Sequence, residues 1–294
     1  MAQFAQQVVS GLASGGIYAT LALALVLIYR STGVVNFAQG EMAMFTTFIA
    51  WSLIQGGWGY WGAFVVTLLI AFVGGVLLER IVIRPVENAP VLTIVIVTLG
   101  LFFLFDGAAR WIWSSEVKSF PSAFPTRPIH VAGVAFSIQD LGIIGVSLAG
   151  VALLYLFFGF TKLGLAMRAA ALNPDASRLT GVRVGWMLAL GWGLSAALGA
   201  VSGMMAAPPL GSFDQNLMKP ILLYAFAGAV LGGMDSALGA VLGSLMLGVF
   251  LNLVGTYVDF VGTELRLPVA LAVILGVLLV RPSGLLGRTA LRRV

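Results

Sequence analysis

The chain alternates long, unbroken apolar runs with short polar segments along most of its length. A transmembrane helix needs about 20 consecutive apolar residues, so these runs predict helical membrane spans. A membrane β-barrel would instead show short segments of alternating polarity. The predicted spans are residues 4–29, 42–54, a run that follows the turn at 56–60 and ends near residue 80, 91–113, 138–160, 186–207, 220–233, 236–257 and 267–280.

The pattern therefore predicts an all-α polytopic membrane protein with about eight or nine transmembrane helices in one membrane domain, residues 1–294. The count is eight if residues 42–54 form a re-entrant segment or if the region 220–257 is miscounted. That region reads either as two short spans or as one span and a broken helix. Broken or re-entrant segments are therefore part of the prediction.

Composition narrows the class of protein further. Hydrophobic residues make up 60% of the 294 and charged residues only 9%, which excludes a soluble globular domain. The sequence has no cysteine, so disulfides, thiol catalysis and cysteine-ligated metals are excluded. Because no basic residue precedes the first apolar run, we expect that span to stay in the mature protein rather than to be a cleaved signal peptide.

Basic residues orient the predicted spans. The net charge of +5 comes from Lys and Arg at span ends, which indicates the positive-inside bias and not a nucleic-acid partner. The basic segments 80–84, 162–183 and 281–293 are expected on the cytoplasmic side. This places the C-terminus in the cytoplasm and the N-terminus outside. The longest polar stretch, the loop 114–137, is expected outside.

The segment 161–183 is a polar island between two apolar runs. Its charged residues are Lys162, Arg168, Arg178 and Arg183, with Asp175 as the one acid. Asn173 and Pro174 suit a turn or an N-cap between two short helices. A solvated loop would explain the arginines but not the many Ala and Leu residues, so we favour a surface on which a partner docks.

The break at 34–41 places Asn36, Gln39 and Glu41 between two apolar runs. Polar groups at membrane depth are costly unless they line a cavity or pair internally, and transporters build ligand sites from such discontinuous helices. The residues are candidates for a substrate pathway. The alternative is an ordinary solvated loop, and the pattern alone does not decide between the two.

Two polar residues lie inside apolar runs. Asp106 could contact substrate or relay protons, but an ion pair with Arg110, four residues later on the same helix face, is the interpretation we favour. Asn252 is expected to form a hydrogen bond between helices. Glycine is abundant, with 37 residues, which predicts closely packed helices, although G-x-x-x-G pairs are no more frequent than chance would give.

Motifs of enzymes are missing. The single histidine rules out an H-E-x-x-H zinc site, and neither a G-x-S-x-G elbow nor a P-loop occurs. We therefore expect no catalytic residue and no metal site, and any ATP hydrolysis must belong to another polypeptide. An ion-coupled secondary transporter is the alternative. It would need intramembrane charges, and beyond Asp106 and Glu41 the chain has few.

Several segments resemble the inner-membrane permeases of branched-chain amino-acid ABC importers, nearly from end to end. The matching segments are GGIYATLALALVLIYRSTGVVNFAQGEMAMF (15–45), ERIVIRPV (79–86), LGLAMRAAALNPDASRLTGV (163–182), MKPILLYAFAGAVLGGMDSALGAVLGSLMLG (218–248) and RPSGLLGR (281–288). The NFAQGE box and the RPSGLLGR tail are the most specific. Gln39 departs from the histidine that often occupies this position in the family.

The resemblance implies a permease subunit that forms half of a pore for branched-chain amino acids or a related small polar solute. The implied partners are a second homologous permease, two ATP-binding subunits, a periplasmic substrate-binding protein and membrane lipid. ATP and Mg would bind the ATPase subunits, with no cofactor in this chain. The implied location is the bacterial inner membrane.

The resemblance also gives the polar island a role. The segment 161–183 is similar to the cytoplasmic coupling loop of the family, which passes movements of the ATPases to the pore. The residues expected to couple to the ATPases are Gly164, Arg168, Ala169, Ala170, Asp175 and Gly181.

Overall fold

A computed structural model describes residues 2–125, 127–131, 134–262, 264–281 and 283–287. Eleven α-helices lie in these ranges: α1 (Ala2–Thr32), α2 (Gln39–Gln55), α3 (Tyr60–Leu78), α4 (Val91–Trp113), α5 (Ile138–Phe160), α6 (Lys162–Leu172), α7 (Pro174–Leu179), α8 (Val184–Leu210), α9 (Met218–Gly232), α10 (Ala237–Tyr257) and α11 (Arg266–Val280). Helix α3 continues into a π-helical turn, Glu79–Ile83, and a 3-10 turn, Arg84–Val86.

The predicted helical membrane architecture is confirmed. Eight apolar helices lie in the described ranges: six are long and apolar enough to cross a membrane, and α9 and α11 are shorter. The predicted spans 91–113 and 138–160 coincide with α4 and α5. The ambiguous region 220–257 forms two separate helices, because Gly228 faces Ser244 and Gly232 faces Gly239 in an antiparallel α9–α10 pair.

Two predicted boundaries are wrong. The break before α2 ends at Ala38, so Gln39 and Glu41 belong to the first turn of a helix. Helix α8 also runs through Pro208 and Pro209 to Leu210, beyond the predicted end at residue 207. A proline removes a backbone donor from the helix, and the hydroxyl of Tyr60 donates to the Met204 carbonyl instead, at 3.2 Å.

Four short strands were not predicted. Strands β1 (Lys118–Ser119) and β4 (Ser212–Phe213) pair antiparallel, and so do β2 (Pro128–Val131) and β3 (Val134–Ser137). The first pair ties the loop 114–137 to the end of α8. We call this the strand end of the molecule, and the opposite end, which carries α6 and α7, the helix-pair end.

Helix α1 lies at the centre of the molecule, with about half of its residues buried. It packs antiparallel on α10, where Gly11 and Gly15 face the backbone of Val249 and Leu245. Small residues let two helix backbones approach closely, which is how membrane helices gain van der Waals contact. In contrast, α3, α4 and α5 present rows of exposed Leu, Ile, Val and Phe side chains to the outside.

The close approach of α1 and α10 predicts a specific intolerance. A Cβ added at Gly248 would lie 2.5 Å from the Gly11 carbonyl and the Gly15 backbone, so Gly248→Ala should cost about 1–3 kcal/mol through overpacking. Gly74→Ala on α3 is the matched control, since a Cβ there meets no described atom within 4 Å. It should be neutral or stabilising by up to about 1 kcal/mol. Thermal unfolding in detergent measures both, and equal melting temperatures would contradict the packing.

Candidate functional site

The helix pair α6–α7 forms because side chains cap both helix starts. The Thr161 hydroxyl accepts a hydrogen bond from the Gly164 amide at 2.9 Å, at the start of α6. The Asn173 side chain accepts from the Ala176 amide at 3.0 Å, at the start of α7. Each cap satisfies an amide that has no partner inside its own helix. The predicted N-cap at Asn173 is thereby confirmed.

Gly181 ends α7 in the left-handed region, at φ +83°. Its amide donates to the Arg178 carbonyl at 3.1 Å, and the next amide, of Val182, donates to the Ser177 carbonyl at 3.0 Å. This is a Schellman arrangement, which favours glycine because a side chain is strained at positive φ. The turn directs the chain from α7 into α8.

One face of α6 packs against the bundle. Gly164 lies against the backbone of Phe157 and Phe158, where no Cβ would fit. Met167 and Ala170 are buried, and Ala169 is half-buried. These residues anchor the helix and hold its angle relative to α5 and α8.

The other face of the helix pair is exposed and mixes apolar with charged groups. Leu172 is 76% exposed and Leu179 is 89% exposed, with Leu165 also open. Arg168 and Asp175 are exposed on the same pair of helices. The six predicted coupling residues are thus divided: Gly164, Ala169 and Ala170 face inward, and Arg168, Asp175 and Gly181 face outward. Exposed apolar patches of this kind mark surfaces that bind other molecules.

The basic turns after α3 adjoin this surface. The sequence pattern did not reveal this contact. The Arg80 guanidinium in the π-helical turn lies 3.5 Å from the centre of the Trp186 ring on α8, a cation–π contact. Arg84 lies against Gly185. A groove of about 400 Å³ runs alongside, lined by Ala166, Gly181, Val182, Arg183, Trp186, Met187 and Leu190. The basic loop after α3 and the helix pair therefore form one continuous surface.

The break between α1 and α2 is held by buried polar contacts. Asn36 Oδ1 accepts from the Ala38 amide at 3.1 Å, and Asn36 Nδ2 donates to Gln39 Oε1 at 3.2 Å. Gln39 Nε2 donates to the Ser195 carbonyl at 3.1 Å. Asn36 and Gln39 are both 0% exposed, so the interpretation as a solvated loop is wrong for these two residues.

Ser195 places this network at membrane depth. It lies near the middle of α8, and its hydroxyl is 2.9 Å from the carbonyl of Ala24, well inside α1. Gly199 and Gly203 allow α2 to approach α8 here, since a Cβ at Gly199 would lie 2.9 Å from Gln39 Nε2. The first turn of α2 therefore begins inside the bundle, with its polar groups paired to the protein.

Glu41 is the exception in this network. It is 1% exposed, and its Oε2 has no hydrogen-bond partner among the described residues. A buried, unpaired carboxylate oxygen is expensive. The charges of Lys219, Asp106 and Arg110, on neighbouring helices, interact with Glu41 electrostatically.

Asp106 forms the predicted ion pair with Arg110. Arg110 Nε and Nη2 lie 2.8 and 3.2 Å from the two carboxylate oxygens. Lys219, at the start of α9, lies 3.1 Å from Asp106 Oδ1 and makes a second ion pair. This contact joins residues 113 positions apart, so no local spacing could reveal it. Glu41, Asp106, Arg110 and Lys219 together form what we call the charged cluster.

Asn252 forms the expected bond between helices. Its amide donates to the Gln7 carbonyl at 2.8 Å and to Gln7 Oε1 at 2.7 Å, which joins α10 to α1. Over the described ranges, no three His, Asp or Glu side chains are grouped so that they could hold a metal ion.

Comparison with known proteins identifies a family. The model of the family described as "Branched-chain amino acid transport system / permease component" matches residues 7–280. The permease protein BraD of the high-affinity branched-chain amino acid transport system of Pseudomonas aeruginosa is 30% identical, over 99% of this chain and 98% of its own length. The corresponding permease protein LivH of Escherichia coli is 29% identical, over 99% and 98%.

A solved structure shares the fold. The chain is similar to PsaBC from Streptococcus pneumoniae in complex with Fab, with a TM-score of 0.50 and 15% sequence identity over 93% of this chain and 91% of that chain. At this identity the likeness concerns the arrangement of helices alone.

The pairing of Gln39 predicts a stability effect. Gln39→Leu removes the acceptor for Asn36 and the donor to the Ser195 carbonyl, so it should lower the free energy of unfolding by about 1–3 kcal/mol. Gln55→Leu is the matched control, because Gln55 is exposed at the other end of α2 and its loss should change stability by less than about 0.5 kcal/mol. Melting in detergent compares the two, and an unchanged Gln39→Leu would show that the break is held by other contacts.

Proposed function

The chain belongs to the family of permease components of branched-chain amino acid transport systems, and we propose that it forms one half of the pore of an ATP-driven importer. It is a transport subunit and not an enzyme. The proposed complex contains a second homologous permease, two ATP-binding subunits and a periplasmic substrate-binding protein. ATP and Mg bind the ATPase subunits in this proposal, and the chain itself needs no cofactor. Family membership favours this mechanism over an ion-coupled secondary transporter.

The exposed face of the helix pair is the observation that carries the proposal. Leu165, Leu172 and Leu179 offer apolar area, and Arg168 adds positive charge beside it. The inward face is fixed by Gly164 and by the caps of both helices. The helix pair is thus held against the bundle on one face and offers a binding surface on the other. A partner bound to that surface would move both helices as a rigid body. We assign that partner as an ATP-binding subunit.

The arrangement of basic segments supports an orientation in the bacterial inner membrane. Arg80 and Arg84 contact the start of α8, so the loop after α3 lies at the helix-pair end. The described part of the tail lies there too, because the Leu285 and Leu286 amides donate to carbonyls at the end of α9. Basic segments accumulate on the cytoplasmic side. The helix-pair end and the C-terminus are therefore assigned to the cytoplasm, and the strand end to the periplasm.

The charged cluster is the proposed substrate pathway. An amino acid carries an ammonium and a carboxylate, and the cluster offers both signs of charge. The unpaired oxygen of Glu41 suits the ammonium, while Arg110 and Lys219, which pair with Asp106 in the structure, suit the carboxylate. Asn36 and Gln39 hold the broken helix that presents Glu41. Branched-chain amino acids, or a related small polar solute, are the proposed cargo.

The coupling proposal predicts an uncoupled transporter. Arg168→Glu reverses the charge on the docking face, and Gly181→Pro removes both the positive φ and the hydrogen bond from the Gly181 amide to the Arg178 carbonyl. Each should lower ATP-driven uptake by about ten-fold or more, since coupling free energies are typically about 1–3 kcal/mol. ATPase activity of the purified complex should become independent of the binding protein. Arg127→Glu, an exposed arginine at the strand end, is the control and should transport normally.

Proteoliposomes that contain the full complex give both measurements. Normal uptake in both Arg168→Glu and Gly181→Pro would remove the coupling role. Co-purification of the two ATP-binding subunits with the wild-type chain tests the assignment of the partner directly.

Glu41 is predicted to act in transport and not in assembly. Glu41→Gln keeps the shape and removes the charge, so uptake of a branched-chain amino acid should fall about ten- to hundred-fold, the size of a hydrogen bond to a charged group. The matched control is Glu116→Gln in the loop 114–137, where the carboxylate is exposed. Subunit composition should be unchanged in both variants. Wild-type uptake by Glu41→Gln would exclude the pathway role.

A further inference from the structure

A cavity of about 810 Å³ lies at the helix-pair end, between α1, α5, α6, α8 and α10. Its walls are mostly apolar, and they include Leu23, Val26, Val151, Leu154, Phe158 and Val241. The volume is within the range of pockets that hold small molecules and cofactors. The charged cluster described above is not part of its lining. A small polar solute would find few partners along these walls.

The rim of the cavity is polar and mainly positive. Arg30, from the end of α1, and Arg168, from α6, both line it, and neither forms an ion pair with any described residue. Ser236 caps the start of α10 there, which adds the positive end of a helix dipole. Asp235 is the acid of the rim. The rim thus carries two arginines and the positive end of a helix dipole but one carboxylate. Its net charge is positive, so the site favours an anion.

The cavity continues into the surface that faces the membrane. Tyr155 of α5 and Leu238 of α10 line its mouth and are each more than half exposed. Further exposed apolar residues follow along the same helices, such as Leu148 on α5 and Leu242 on α10. The opening therefore lies sideways between two helices whose outer faces suit lipid chains.

We propose that this cavity binds one anionic phospholipid, with an acyl chain between α5 and α10 and the phosphate at Arg30. Basic pockets between membrane helices on the cytoplasmic side recognise lipid head groups, and apolar walls below a positive rim match a lipid better than a free anion. The assignment of this lipid to the cytoplasmic leaflet rests on the orientation given under the proposed function. The site itself does not depend on that orientation. Met167 and Ala170 of α6 form part of the wall, so the lipid lies directly behind the helix pair.

Lipid titration of the full chain, purified with its partner subunits, tests the site. Native mass spectrometry would count the phosphatidylglycerol or phosphatidylcholine molecules bound. We expect one saturable phosphatidylglycerol, preferred by about five-fold, which corresponds to about 1 kcal/mol for one arginine near a lipid phosphate. Arg30→Gln should remove most of that preference. Gly159→Phe, which fills the cavity from a position with no described atom within 4 Å, should abolish binding of either lipid at the site.

Each variant has a control outside the cavity. Arg127→Gln removes a similar charge at the strand end, and Gly145→Phe adds a ring at an open position nearer the other end of α5; both should bind lipid as the wild type does.

Wild-type binding by Arg30→Gln and Gly159→Phe would overturn the proposal. So would loss of the second permease from the Gly159→Phe complex with lipid binding unchanged, because the cavity would then be a subunit interface. Binding is measured without ATP, so failure here leaves the coupling proposal standing, and failure of coupling leaves this site standing.

Discussion

The structure depends on one constraint: a helix interrupted at membrane depth must satisfy its free polar groups within the protein. The break after α1 meets it through Asn36, Gln39 and the mid-helix Ser195, which are buried and bonded to one another or to backbone. This arrangement explains why α2 can start inside the bundle. It also explains why Glu41, in the first turn of α2, lies at a depth where a carboxylate is otherwise too costly to keep.

Much of the fold could be predicted because a membrane helix requires a long apolar run, which is easy to recognise in a sequence. Apolar runs located the helices, and α4 and α5 matched the prediction to the residue. Contacts between residues close in sequence could also be predicted. The cap at Asn173 and the ion pair of Asp106 with Arg110 involve residues three or four positions apart. The boundaries that failed did so where distant groups intervene, as at Pro208, where Tyr60 supplies a hydrogen bond to the carbonyl of Met204.

The candidate sites were predicted only in part, for the same reason. Lys219 beside Asp106 and Arg80 over Trp186 are contacts between helices far apart in sequence, and neither leaves a local signal. Burial had to come from the structure as well. The sequence placed Asn36, Gln39 and Glu41 together as pathway residues, whereas the structure divides them into two residues that hold the helix and one carboxylate that stays unpaired.

Helix α8 relates the two regions physically. Its first turns carry Trp186 and Gly185, which contact the basic turns after α3 beside the helix pair, and Ser195 in its middle holds Gln39. A helix of this length is stiff over about 40 Å. In the proposed coupling, a displacement of its first turns by a partner on α6–α7 would be carried along the helix to the point where α2 begins. Gln39 supplies the hydrogen bonds along this route, since its side chain joins Ser195 of α8 to the first turn of the helix that carries Glu41.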